Sequence, residues 1–356
     1  MGKTQDAMIH VLDVIRSGRS ANIVGPPGCN KSGSLAQGGE VFLARAADHG
    51  IDPKDMGHRD FRPAMEDPTE IKGMPFPDIQ AGTTTWLHPD WLPDGGHGIL
   101  VIEEIGNASK AHHAALYQLT AERRIRDKKL PDGWDVVATS NRREDGCGVN
   151  RLPGALENRF NRVPWEPSVE DYTKWARDNG VNREVIAAVN FHKDMIEKYD
   201  GSMEGPQSTG RSITSFAKIH SQTGCSVAGS YRGGSHHDMN GEDRRVYRYA
   251  EGDIGSEDAA RMVAFLGIFS RLPNIKGILS GADVQAPSEY EADIALATVT
   301  KLVEKGDRSN VKNILAWVDK LPPVCRAVFA NDAVESSIGK TDSFLQWMRT
   351  NSSLMY

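Results

Sequence analysis

The sequence predicts an α/β fold: a parallel five-stranded sheet covered by helices on both faces, followed by a region of helices. Three observations carry that prediction. Apolar runs at Ala21–Val24, Gly98–Ile105 and Trp134–Asn141 lead into polar or charged residues. Such runs suit strands buried on both faces, with chemistry at their C-terminal edge. Helical spacing alternates with the runs, the signature of parallel strands joined by crossover helices. After Pro167 the alternation stops and helical periodicity takes over.

In chain order, Met8, Val11, Leu12 and Ile15 give residues 7–17 an apolar helix face before the first strand. That strand runs into Gly25-Pro-Pro-Gly-Cys-Asn-Lys-Ser32, which reads as a phosphate-binding loop, or P-loop. Gly25, Pro26, Pro27, Gly28, Cys29, Asn30, Lys31 and Ser32 are its candidate nucleotide-binding residues. Backbone amides of such a loop converge on phosphate oxygens, and glycines let the backbone approach closely. Lys31 would place a cation on the β- and γ-phosphates, and the Ser32 hydroxyl would ligate Mg²⁺. The usual glycine before the lysine is replaced by Asn30, a residue that tolerates positive φ. A helix over 33–48, weakened by Gly38-Gly39, would point its positive dipole end at the same anion. His58–Pro63 reads as the second strand, and Asp67–Asp78 as a loop with rigid turns at Pro68, Pro75 and Pro77 and apolar tips at Met74 and Phe76.

The run Gly98–Ile105 carries Glu103 and Glu104 at its end, the form of a Walker B strand. Glu103 would hold the Mg²⁺ shell and Glu104 would orient and activate a water; the more usual first acid is aspartate. A helix near 110–126 follows, then the strand Trp134–Asn141 and a last strand at Asn161–Trp165.

These motifs together resemble the AAA+ ATPases, and within them the MoxR-like group, including proteins of that type in phage genomes. In that resemblance Asn141 matches the sensor 1 residue, which lies between the two key strands and orients water at the γ-phosphate. Leu156-Glu-Asn-Arg-Phe160 is similar to the family's LxNRF element, with Arg159 as its arginine finger. Pro206-Gln-Ser-Thr-Gly-Arg-Ser212 is similar to the sensor 2 region, with Arg211 as its arginine, although Gly210 stands where proline is usual. The segments Asp67–Pro75, Trp86–Pro93 and Ala114–Arg124 also fit the MoxR-like pattern. The resemblance covers roughly residues 1–280. It implies a large α/β nucleotide domain at 1–166, a helical lid at 167–280 and a C-terminal helical extension at 281–356. It further implies ATP and Mg²⁺ as cofactors, assembly into a homo-oligomeric ring, typically a hexamer, and a protein client or a von Willebrand A-domain partner. A ring-forming protein remodeller or assembly chaperone is the leading expectation. A nucleic-acid motor or phage replication or packaging ATPase is the second, and a nucleotide-dependent scaffold with little hydrolysis the third.

Composition bounds the rest. A chain of 356 residues exceeds one comfortable core. The net charge of −6 offers no global attraction to nucleic acid, though a local basic groove stays open. No apolar run approaches a membrane span and no secretory h-region is present, so a cytoplasmic setting, bacterial or in a phage-infected host, is expected. Cys29, Cys147, Cys225 and Cys325 are scattered without a CxxC pair, which speaks against a disulfide framework or zinc ribbon. Cys29 reads as a redox handle or, more simply, a small filler. Arg123–Lys129 could touch nucleic acid or a neighbour's phosphates, or serve as a cationic helix C-terminus. His112-His113 is placed on a surface helix without a role, and His220 with His236-His237 reads as solvated rather than metal-binding. Gly224–Gly252 is expected to be a long loop or flexible insertion. Beyond it, helices are predicted at 256–271, 288–304 and 309–320, with Leu321-Pro-Pro323 as a break.

Overall fold

The structure, a computed structural model, describes residues 3–201, 204–225, 227, 239, 241–288, 291–334 and 336–351. The chain divides into two units, one of residues 1–218 with 253–255 and one of residues 219–252 with 256–356.

The first unit is an α/β layer structure. Its elements run α1 Lys3–Arg16, β1 Ser20–Val24, α2 Glu40–His49, β2 Gly57–Phe61, β3 Met74–Asp78, β4 Thr83–Leu87, β5 His97–Ile102 and α3 Lys110–Glu122. They continue with β6 Arg124–Ile125, β7 Lys128–Lys129, β8 Gly133–Ser140, α4 Gly154–Glu157, β9 Phe160–Pro164, α5 Val169–Asp178, α6 Arg183–Phe191 and α7 Asp194–Glu197. α8, Gly210–Thr223, begins in this unit. The main sheet has five strands in the order β2-β5-β8-β1-β9, every pair parallel. The expected α/β architecture is therefore present.

Side-chain alternation along the strands divides the interior into two cores. Ile99, Val101 and Val137 face α1 and α2, where they meet Val11, Ile15, Phe42 and Trp165. Leu100, Ile102, Val136 and Ala138 face the other way, onto Leu116 and Leu119 of α3 and onto Phe61 and Trp91. A strand whose successive residues are all apolar can supply both layers, because its side chains point alternately to opposite faces. α1 buries Ala7, Val11, Val14 and Ile15, the spacing of one helix face. α2 is fastened to the sheet by Arg45, whose Nε donates to Asp135 on β8 at 2.7 Å.

Several local expectations are corrected. The helix expected over 33–48 is a short 3-10 turn at Ser32–Ser34 followed, after a break, by α2 from Glu40. Gly38 at φ 84 takes a left-handed conformation that a continuous helix cannot contain. The expected loop at 67–78 is partly a strand, since β3 pairs antiparallel with β4, Met74 opposite Leu87. Its prolines are tolerated because a two-stranded hairpin has free edges, where a missing N–H costs no ladder bond. α3 ends at Glu122, and Arg124–Lys129 form the β6–β7 hairpin rather than a helix terminus. His112 and His113 are buried, not on the surface. His112 completes a capping box with Ser109 and bonds the Glu66 carbonyl, while His113 Nε2 lies 2.9 Å from the Ile105 carbonyl.

The second unit is helical. The end of α8, α9 Gly241–Ile254 up to residue 252, α10 Ser256–Ser270, α11 Ile275–Ser280, α12 Ala292–Lys305, α13 Val311–Val318, α14 Pro323–Val334 and α15 Asp342–Thr350 make up its regular structure among the described residues. Residues 241–252 thus lie in a helix, against the expected insertion at 224–252; most of 226–240, with His236 and His237, lies outside the described residues. Val299, Leu302, Ile314, Val318, Phe329 and Phe344 form its core. Its two central indoles are hydrogen-bonded as buried indoles require, Trp317 to the Val284 carbonyl and Trp347 to Asp319. Among the described residues no helix is long and apolar enough to cross a membrane.

Candidate active site

The candidate residues are carried by β1, β5 and β8 and by the loops that leave their C-terminal ends. β8 lies between β1 and β5, so the strand that ends at Asn141 separates the P-loop strand from the Walker B strand. Gly25 starts the loop in a tight place: its N–H donates to the Ser140 carbonyl at 3.2 Å, and a Cβ there would collide with the Trp165 carbonyl. Trp165 also holds the loop from below, its indole N–H donating to the Cys29 carbonyl at 2.9 Å. Pro26 and Pro27 stiffen the first turn. Asn30 stands at φ 63, the left-handed conformation for which asparagine suits that position. Its side-chain amide lies over Gly33, where a Cβ would meet Asn30 Oδ1 and Cγ.

Lys31 turns inward. Its Nζ donates to the carbonyls of Gly25 at 2.9 Å and Pro26 at 2.7 Å and to Asn141 Oδ1 at 3.0 Å. Burial pushes its pKa below the usual lysine value, against the opposing pull of the neighbouring Cys29 and Asp145. Burial also pushes the Cys29 thiol upward, which favours the uncharged filler over a reactive thiolate. Ser32 Oγ donates to Glu103 Oε2 at 2.7 Å, and Thr139 Oγ1 donates to the same oxygen at 3.1 Å. The Ser32 hydroxyl and the Glu103 carboxylate are hard oxygen donors of the kind Mg²⁺ takes, so the residues present fit that ion. Glu104 is exposed and held at φ 52, ψ 41, an uncommon conformation for glutamate. Two contacts keep it there: its N–H donates to Thr139 Oγ1 at 3.2 Å, and Asn107 Nδ2 donates to its Oε2 at 3.1 Å. The structure therefore brings Lys31, Ser32, Glu103 and Asn141 together at the ends of β1, β5 and β8, with Glu104 next in chain to Glu103.

The fold is a parallel five-stranded α/β sheet, with the phosphate-binding loop leaving β1 at its C-terminal end. Arg211 joins the loop by its backbone, its N–H donating to the Gly28 carbonyl at 3.2 Å, while its side chain stays exposed. Its positive charge contributes to lowering the pKa of Lys31. Gly28, at φ 69, lies so close to Thr209 that a Cβ would overlap that side chain. Arg159 stands apart: among the described residues its side-chain hydrogen bond and its ring contact are both with Tyr117, and neither is with the loop. The dipole expected behind Ser32 is not realised, because the 3-10 turn is too short to build one and α2 starts only at Glu40.

Thr139, Trp165, Thr209 and Tyr117 escaped the sequence reading. Thr139 had a signal, a hydroxyl inside an otherwise apolar strand. The others had no signal of their own: Thr209 and Tyr117 fall inside segments of the resemblance where nothing singles them out, and Trp165 at a strand end looks like any packing residue.

No protein family matches the sequence. No curated protein matches it. Among solved structures, a putative ATPase from Cytophaga hutchinsonii aligns at 20% identity over 45% of this chain and 46% of its own, with a TM-score of 0.32. The chain thus spans less than half of that protein. NtrX from Brucella abortus aligns at 13% identity over 99% of this chain and 68% of its own, with a TM-score of 0.39. NtrX has also been solved with ADP and with ATP. A point mutant of RuvB from Thermotoga maritima aligns at 13% identity over 98% of this chain and 86% of its own, with a TM-score of 0.31.

The crowding at Gly28 yields a stability prediction. Gly28→Ala meets both positive φ and the Thr209 side chain, whereas Gly18→Ala meets positive φ of 76 with open space around it. Gly28→Ala should lose roughly 1–3 kcal/mol more than Gly18→Ala in denaturant unfolding, since overpacking adds to the backbone strain both share. Equal losses would mean that Thr209 yields without cost.

Proposed function

We propose that this protein is a Mg²⁺-dependent ATPase of the MoxR-like AAA+ type that works as a ring to remodel or assemble protein partners. One observation carries the ATPase part of this reading; the MoxR-like type, the ring and the protein partners rest on the sequence resemblance. The lysine and hydroxyl of the P-loop are hydrogen-bonded to the acid and the amide of two different strands, Ser32 to Glu103 and Lys31 to Asn141. That is the set of groups phosphoryl transfer needs in one place: a cation, a metal-binding hydroxyl and acid, and a polar orienter.

In this mechanism the ATP polyphosphate displaces the carbonyls of Gly25 and Pro26 from Lys31, and its charge favours the cationic amine that burial disfavours. Mg²⁺, held by Ser32 and Glu103, would supply charge neutralisation on the β- and γ-oxygens. Glu104 accepts a proton from water as the water oxygen bonds to the γ-phosphorus and the bond to the β–γ bridging oxygen breaks. Asn141 orients that water, Arg211 faces the phosphates from the sensor 2 segment, and Arg159 acts in the neighbouring subunit's site. ATP hydrolysis measured with and without Mg²⁺ tests the reading, with Lys31→Ala as the dead reference.

The basic run does not favour a nucleic-acid motor. Arg124 pairs with Glu122, Lys128 with Asp94, Arg123 bonds the Trp134 carbonyl, and Arg126 stacks on Trp86 at 3.4 Å. The scaffold reading has one specific support, the interrupted helix behind Ser32, and tight ATP binding without measurable turnover would select it.

The β3–β4 hairpin is the proposed client-gripping element. Met74 and Phe76 share one face with Leu87, and their exposures are 60%, 58% and 59%. Apolar side chains left in water on a hairpin suit contact with a polypeptide, because apolar burial is nearly indifferent to sequence. Met74→Ala with Phe76→Ala should leave assembly and basal ATPase intact and abolish stimulation by a client. Given the exposure, the pair should melt within about 0.5 kcal/mol of the parent; a large loss of stability would assign the two side chains to packing. A von Willebrand A-domain partner, which rests on the sequence resemblance alone, and a cytoplasmic setting, which rests on sequence composition, are part of the same proposal.

A further inference from the structure

Arg159 is held by an aromatic side chain, an arrangement that recurs at Arg245 with Tyr249. Its Nη2 donates to the Tyr117 hydroxyl at 2.8 Å, and its guanidinium carbon lies 4.8 Å from the centre of the Tyr117 ring. Both contacts come from one side chain. Three arginines of the same unit commit their donors to stronger acceptors: Arg45 to Asp135 and Asp48, Arg123 to two carbonyls, Arg142 to Asp145. Arg159 has five N–H donors and uses one of them among the described residues. It is fixed in direction yet left open toward an outside anion.

The backbone on either side is fixed too. Leu156 and Phe160 are both buried in the core on the α3 side of the sheet, and the Arg159 N–H bonds the Leu156 carbonyl at 3.0 Å. The main chain is pinned on both sides, so the remaining freedom of the arginine is in its own side chain. Tyr117 removes much of that freedom. It stands on α3, half-buried, its ring packed on the same core. A neutral aromatic partner orders a guanidinium without neutralising it, whereas a carboxylate partner would compete with the incoming phosphate.

We propose that Tyr117 is the positioning residue of the arginine finger, aiming Arg159 of its own subunit at the nucleotide of the next. This rests on the trans reading of Arg159 given above. Pre-ordering acts only when the finger meets the developing charge, so it belongs in kcat and not in ATP affinity.

The test uses full-length mixed rings. Glu104→Gln subunits donate intact fingers and Arg159→Ala subunits donate intact pockets, so activity reappears only where the two meet. Tyr117→Phe, which keeps the ring and loses the hydroxyl, is then added to one kind of subunit at a time. On the finger donors it should lower the revived kcat about 3- to 10-fold, and Tyr117→Leu on the order of tenfold or more, with KM for ATP unchanged. On the pocket donors, which have no Arg159 to aim, either change should leave the revived rate as it was. A finger-donor rate indifferent to Tyr117, or an equal loss on both kinds of subunit, overturns the proposal. So does a Tyr117→Phe protein that melts markedly lower or fails to assemble, since its role is then in packing. An unmodified mixture that stays inactive while assembling overturns the trans reading itself, and this proposal with it.

Discussion

Replacing Arg159 with alanine is expected to lower ATP turnover by roughly 10³–10⁵-fold, the contribution of an arginine supplied across an interface. Nucleotide binding should be unchanged, because Arg159 makes no contact with the P-loop of its own chain among the described residues. Fold stability should change little, since the residue is half-exposed and its side-chain hydrogen bond among the described residues is to Tyr117. The measurement is steady-state hydrolysis beside equilibrium binding of a fluorescent nucleotide, with assembly state checked in parallel. Loss of binding in step with turnover would move Arg159 into its own pocket and remove the ring from the mechanism.

Glu104→Gln should separate binding from hydrolysis in the other direction. The substitution is nearly isosteric, keeps an oxygen to accept from Asn107, and leaves the Glu104 backbone bond to Thr139 untouched. ATP should bind and remain, while turnover falls on the order of 10²–10⁴-fold for want of a proton acceptor. Lys31→Ala contrasts with it. Removing that amine leaves the Gly25 and Pro26 carbonyls and Asn141 Oδ1 without their shared donor and takes the cation from the phosphates, so binding itself should be lost. Unimpaired turnover in Glu104→Gln would remove this glutamate from the chemistry and direct attention to other acceptors.

The parts legible in the sequence were those written in consecutive residues. The three central strands β1, β5 and β8 announced themselves as apolar runs, because a strand buried on two faces has few polar positions to break the pattern. The left-handed Asn30 was legible too, since only a few residue types sit comfortably at positive φ. What escaped depended on partners distant in the chain. The antiparallel β3–β4 pairing was hidden because Pro75 and Pro77 argue locally against a strand, and only a two-stranded edge forgives them. His112 read as a surface residue because nothing nearby shows that Glu66, 46 positions earlier, offers it a carbonyl. The helix behind the loop starts later than the sequence predicts: Gly38-Gly39 reads as a weak point within a helix, whereas φ 84 at Gly38 ends the turn outright.

The overlap between Asn30 and Gly33 makes the order of sequence change matter along any lineage that carries this loop. A side chain entering at 33 must first push the asparagine amide aside, whereas with glycine at 30 that amide is gone. The less costly order of change therefore runs through position 30: Asn30→Gly opens space, and a larger residue at 33 then enters without displacing that amide. A library randomised at both positions should recover few variants with asparagine at 30 and a bulky residue at 33, and many with glycine at 30.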